Sequence, residues 1–191
     1  MRVIGGEYRS RTLKTLPGLH TRPTPDRLRE TLFDILASRI EGAVFADVYA
    51  GTGSVGIEAL SRGARESIFI EKNHAAVDVI RQNLQALGLE ARAQVICGKA
   101  GVTIARLKPD IVFLDPPYDL ENEYAAVLGA LGAAPPALAI AQHTVRFPLP
   151  VEYGELIRFR QVKQGDNILS FFHRSHRGDA EDAETAQRNS T

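Results

Sequence analysis

The sequence predicts an α/β protein, a mostly parallel sheet covered by helices and ending in a C-terminal antiparallel hairpin. Three observations predict it. From residue 44 onward, short apolar runs alternate with stretches of helical periodicity. Those runs are continuously apolar, which suits strands buried on both faces. The last two strand-like runs, near 156–163 and 167–173, are separated only by Gln164-Gly165-Asp166, a hairpin-sized turn.

The elements follow in order. Residues 1–22 alternate apolar and basic pieces, punctuated by Gly5-Gly6 and Pro17-Gly18, and read as a small basic arm or hairpin. A helix starts at Thr24-Pro25-Asp26, with a cap, a proline at the first position and an acid facing the dipole. Leu28, Leu32, Ile35 and Leu36 form its apolar face. Val44–Tyr49 is the first strand, followed by a glycine-rich turn and a helix through Ile57 and Leu60 that stops near Gly63. Ser67–Glu71 is the second strand, and Val77, Ile80, Leu84 and Leu87 mark a helix closed by Gly88. Gln94–Cys97, Ile111–Leu114 and Leu138–Ala141 are further strands, with a helix through Tyr124, Val127, Leu128 and Leu131 before the last of them. Three units result: the arm, a main domain over 23–174, and a tail over 175–191, nearly free of apolar residues and expected to be disordered.

At 191 residues and 20.9 kDa the chain makes one domain with modest appendages. Hydrophobic residues at 44% and charged residues at 24% exclude a disordered chain. The single cysteine, Cys97, excludes an internal disulfide and a zinc cluster. No apolar run suits a membrane span and the N-terminus carries no signal-like segment, so the expected compartment is the cytoplasm, without a membrane partner. Lys plus Arg balance Asp plus Glu at 23 each, but the charge is segregated. Residues 1–29 hold seven bases (Arg2, Arg9, Arg11, Lys14, Arg22, Arg27, Arg29) against Glu7 and Asp26. That stretch suits phosphate contact, although such runs are also common on plain solvated faces. Arg22 has a second option, bracing a cofactor pocket.

The first strand runs into Asp47-Val48-Tyr49-Ala50-Gly51-Thr52-Gly53-Ser54-Val55-Gly56. Gly51, Gly53 and Gly56 match a dinucleotide fingerprint, with Glu71 twenty residues beyond Gly51. Alone, the pattern fits a nicotinamide-dependent oxidoreductase, or glycines that serve only the turn. Asp47 ranks the nicotinamide reading last, because a carboxylate there repels a pyrophosphate and attracts a cation. S-adenosylmethionine has no phosphate and carries an ammonium and a sulfonium. Asp47 beside the glycines and Glu71 toward ribose hydroxyls suit that ligand.

The fourth strand ends in Asp115-Pro116-Pro117-Tyr118. Prolines there can simply end a strand. Beside the acid-and-glycine pattern they gain a chemical reading. An exocyclic base amine is a poor nucleophile, its lone pair delocalised into the ring. A carboxylate at Asp115 and the Pro116 carbonyl can accept its two N–H groups, Pro117 stiffens the loop, and Tyr118 can stack on the base. None of the five histidines has metal-ligand spacing with another, so no metal is expected.

These motifs, with Arg2-Val3-Ile4-Gly5-Gly6, Tyr8-Arg9-Ser10-Arg11, Arg22 to Glu30 and Gly51 to Gly63, resemble the bacterial small-subunit ribosomal RNA guanine-N2 methyltransferase family. The resemblance spans most of residues 1–174. It implies a Rossmann-like methyltransferase fold with a seven-stranded sheet and a basic N-terminal extension. It implies methyl transfer from S-adenosylmethionine, with S-adenosylhomocysteine as product, to a guanine N2 in 16S rRNA of the small ribosomal subunit. By position, Asp47, Ala50, Gly51, Gly53 and Glu71 hold the cofactor, with Lys99 and Ala100 beside it and Thr24 near its methionine end. Asp115, Pro116, Pro117 and Tyr118 hold the guanine. Two departures stand out. Lys99 falls where relatives often carry an acid or amide that accepts from adenine, and Gln142-His143 where they often have a glutamate. A monomer is expected. The competing readings are an amine methyltransferase acting on DNA adenine or protein glutamine, and a non-catalytic RNA-binding protein. The short chain leaves no room for a separate DNA-recognition domain.

Overall fold

The computed structural model describes residues 1–16, 26–117 and 122–175. Along them run α1 (Asp26–Leu36), β1 (Val44–Val48), α2 (Ser54–Ser61), β2 (Glu66–Glu71), α3 (His74–Leu87), a 3-10 turn (Glu90–Arg92) and β3 (Ala93–Cys97). Then follow α4 (Ala100–Ile104), β4 (Ile111–Leu114), α5 (Asn122–Ala133), β5 (Leu138–Thr144), β6 (Glu152–Tyr153), β7 (Leu156–Gln164) and β8 (Asn167–Arg174). The strands form one sheet in the order β3-β2-β1-β4-β5-β8-β7-β6. The first five are parallel, and β8 and β7 add as an antiparallel pair.

The sheet has eight strands, against seven expected. The extra one is β6, two residues that pair with β7 through Glu152↔Ile157 and Tyr153↔Leu156. The α/β class, the parallel core and the C-terminal hairpin are as expected. The short α4 is also additional to the sequence reading. The expected arm boundary at 22, the helix start at Thr24-Pro25 and the disordered tail lie outside the described residues.

Helix ends follow local chemistry. Asn73 caps α3, its side chain accepting from the N–H groups of Ala75 and Ala76, and Gly88 closes that helix in the left-handed conformation at φ 67°. Strand order reverses beside β1, with β2 on one flank and β4 on the other, the position where open α/β sheets bind ligands. One face of the sheet packs Ala46, Val48, Val112, Leu114, Ala139 and Ala141 against α4 and α5. The other packs Phe45, Ile111, Phe113 and Ile140 against α1 and α2. The alternation therefore sends Asp47 and Asp115 to the α1 face.

The described part of the arm, residues 1–16, is docked on the main domain. An isolated bridge joins Arg2 to Thr12, and Val3 and Leu13 are buried against α2 and α3. Asn83 of α3 accepts from the Lys14 N–H and returns a bond to the Lys14 carbonyl. No described helix is long and apolar enough to cross a membrane.

Candidate active site

Three strand ends build the site. At the end of β1, Asp47 is buried, and its Oδ2 accepts the Gly56 N–H at 2.8 Å. The carboxylate thereby ties the strand to the first turn of α2. Burial pushes its pKa up to about 8; Asp115 and Glu71 push the same way, while the Gly56 N–H and Arg29 oppose. At the end of β2, Glu71 Oε2 accepts the Gly51 N–H at 2.9 Å and Oε1 accepts the Asn73 N–H at 2.8 Å. Glu71 thus braces the glycine turn from its other side. At the end of β4, Asp115 is half-buried and Pro116 buried, and the Asp115 N–H donates to the Val48 carbonyl at 3.4 Å.

The three glycines divide their labour. A Cβ on Gly56 would fall 2.3 Å from Phe69 Cε1, so this glycine lets α2 lie against β2. Gly53, at φ 81°, meets Ile80 and Phe69 at 3.2–3.3 Å. Gly51, at φ 55°, faces open space within 4 Å. Of the three, only Gly51 has open space among the described residues where a side chain would stand. Ala50 is buried, its carbonyl taking the Gly53 N–H at 2.7 Å. Lys99 is exposed and precedes α4 without capping it by its side chain, while Ala100 is buried at the first position of that helix. Thr24, Arg22 and Tyr118 lie outside the described residues.

The arginines separate. Arg2, Arg9, Arg11 and Arg27 are exposed. Arg2 approaches Asp26 at 3.9 Å, and the Lys14 amine donates to Gln82 at 3.0 Å. Arg29 corrects the sequence reading, which placed it on RNA. It is 0% exposed, donates to the Arg2 carbonyl at 2.6 Å and to Asp26 at 3.1 Å, and lies 4.0 Å from Glu58. Desolvation lowers its proton affinity against the raising fields of Glu58 and Asp26. Burial removes its guanidinium from any surface that RNA could reach.

Two residues escaped the sequence reading. Glu58, fully buried on α2, accepts the N–H groups of Ile4 and Gly5 at 2.7 and 2.8 Å and pairs with Arg62 at 2.8 Å. It clamps the arm to the helix that follows the glycine turn. Tyr49 adopts φ 67°, a conformation a bulky side chain rarely takes, and its hydroxyl donates to Glu123 at 2.5 Å. Burial, with that bond to Glu123, raises its proton affinity. Tyr49 so joins the glycine turn to the start of α5.

The family model described as "Conserved hypothetical protein 95" matches residues 1–173. Ribosomal RNA small subunit methyltransferase D of Escherichia coli K12 is 33% identical over 186 residues, covering 95% of this chain and 93% of that protein. This chain belongs to that methyltransferase D family. Its Haemophilus influenzae member is 35% identical over 123 residues, covering 62% of this chain and 64% of that protein. Among solved structures, the Escherichia coli protein yhhF superposes with TM-score 0.77 at 32% identity, covering 92% of this chain and 98% of that one. A hypothetical protein of Thermus thermophilus gives TM-score 0.75 at 31% identity, over 90% and 98%. The family assignment agrees with the resemblance read from the arm, the glycine turn and the Asp115 motif.

Proposed function

We propose that this methyltransferase D family member methylates the exocyclic N2 amine of a guanine in 16S rRNA of the small ribosomal subunit. The observation that carries the reading is the convergence of Asp47, Glu71 and Asp115 on one strand-order reversal, around a glycine turn whose Gly51 faces open space. That donor set fits S-adenosylmethionine: two carboxylates and bare backbone suit a cationic ligand with ribose hydroxyls and no phosphate. When bound, that group supplies a methyl carbon on sulfur, which passes to N2 as the carbon–sulfur bond breaks and S-adenosylhomocysteine remains.

The chain's own residues do the rest. Glu71 and Gly51 hold the ribose side, Ala100 and Lys99 border the adenine, and Asp47 sets the charge at the methionine end. Gly53 shapes the turn that they share. Asp115 accepts one N–H of the target amine and the Pro116 carbonyl the other, localising the nitrogen lone pair toward the methyl. Asp115 also accepts the proton that N2 sheds. Pro117 stiffens this loop, and Tyr118 stacks on the base, which enters unpaired or flipped from its helix. Thr24 borders the methionine end. Arg9, Arg11 and Arg27, exposed on the arm and on α1, contact RNA phosphates, joined by Arg2 and Lys14 at the hairpin base.

The test uses labelled S-adenosylmethionine and small subunits lacking the modification, with Asp115→Ala beside the wild type. The expected product is N2-methylguanine in 16S rRNA, reduced at least about a hundredfold in the variant. Label in another amine-bearing substrate, or none despite cofactor binding, would overturn the proposal.

A further inference from the structure

Gln142 ends the apolar part of β5, at the same end of the sheet as Asp115. Leu138 and Ile140 pack into the α1-face core, Ala139 and Ala141 into the opposite one. Alternation along the strand therefore points Gln142 to the α1 face, and its partner across β8, Leu169, belongs to that core. β4 and β5 pair as Phe113↔Ile140 and Leu114↔Ala141, so one further step brings Asp115 level with Gln142. Gln142 is 1% exposed, and its Oε1 has no hydrogen-bond partner among the described residues.

Buried side-chain oxygens almost always find a donor, so an orphaned one needs an explanation. This one lies in the register position beside the carboxylate assigned to the target amine. Guanine presents two neighbouring donor groups on one edge, the N2 amine and N1–H. If Asp115 takes the first, the second falls toward the neighbouring strand.

We propose that Gln142 is a specificity-determining residue, its Oε1 accepting the N1–H of the target guanine. The inference rests on the guanine-N2 reading above. With the Gln142 oxygen held toward the base, a purine whose N1 carries a lone pair would set that lone pair against it, leaving both buried and unpaired. Adenine and 2-aminopurine are such purines. Rejection of them needs no contact with the reacting amine.

The experiment compares small subunits reconstituted with guanine or with 2-aminopurine at the modified position. 2-Aminopurine keeps the N2 amine but lacks N1–H. The wild type should transfer methyl to guanine and prefer it, by kcat/KM, roughly 10- to 100-fold over 2-aminopurine. Gln142→Met, nearly isosteric and without an acceptor of comparable strength, should narrow that ratio about tenfold, with the loss falling on guanine. Gln142→Asn keeps an amide but withdraws it by one methylene; it should narrow the ratio likewise, which preserves the test if the Met variant does not fold. S-adenosylmethionine affinity, read by calorimetry, should be unchanged in both. Equal slowing on both substrates, or a wild type indifferent between them, overturns the role of Gln142 while leaving guanine-N2 methylation intact. A wild type that methylates no guanine N2 overturns both readings together.

Discussion

Burial makes Asp47 hold its proton to a higher pH than it does in the unfolded chain. Its ordinary pKa is 3.8 and the fold raises it to about 8. Between those values the folded state binds the extra proton, so this group's contribution to stability is full below pH 3.8 and drains as pH rises through 8. Thermal melts of wild type and Asp47→Asn across this range should show the wild type losing ground to the variant as pH rises; parallel curves would refute the assignment. A cationic methyl donor has the opposite preference, for the ionised acid. Its affinity should climb with pH toward 8 and its binding should release a proton, measurable by calorimetry in two buffers and absent from Asp47→Asn. The pairing of Asp47 with a glycine turn was legible in the sequence; its bond to the Gly56 N–H was not, because Gly56 lies nine positions on, past the turn and inside α2. Arg29 was misread for a simpler reason. Arg29, Leu32, Phe33 and Leu36 stand at helical spacing, and all four are buried. Periodicity already placed the guanidinium on the buried stripe, and its charge drew attention outward.

The glycine turn and α2 act as one element, and their glycines should fail differently. Gly56→Ala forces a methyl against Phe69 and Ser67, both held in β2, and should cost about 1–3 kcal/mol or more in denaturant titrations. Gly51→Ala meets no neighbour but keeps φ 55°, so it should cost only about 1–2 kcal/mol of backbone strain while weakening the cofactor. Equal stability losses would contradict this division. The central strands β1, β2, β4 and β5 were readable because both faces are buried and mostly apolar. β6 was not, since two residues without an apolar run carry no period, and α4 has only five residues to declare one. Glu58 was invisible for a related reason. Every residue of α2 is buried, so the helix has no solvent face on which an acid would ordinarily sit.

At the scale of the molecule, Glu58 ties the arm to the helix that follows the glycine turn. Glu58→Ala would leave buried Arg29 with only half-exposed Asp26 and the Arg2 carbonyl as partners and free the Ile4 and Gly5 N–H groups, a loss of about 3–5 kcal/mol by thermal or denaturant unfolding. Pairing it with Arg29→Met should recover part of that loss, because the buried charge goes with its partner. The exposed arginines give a separate prediction. Arg9→Glu with Arg11→Glu should weaken RNA binding and reduce the slope of log affinity against log salt by about one for each phosphate no longer neutralised. An unchanged slope would remove the arm from the RNA interface.

The clamp also sets an order of events during synthesis. Lys14 precedes its partner Asn83 by 69 residues, and Ile4 precedes Glu58 by 54. At about 5–20 residues per second, the basic segment waits roughly 3–14 s before its last anchor has been made. For that interval its arginines are tethered to a translating ribosome with no folded surface to join. The docking of the basic segment therefore depends on residues translated well after it.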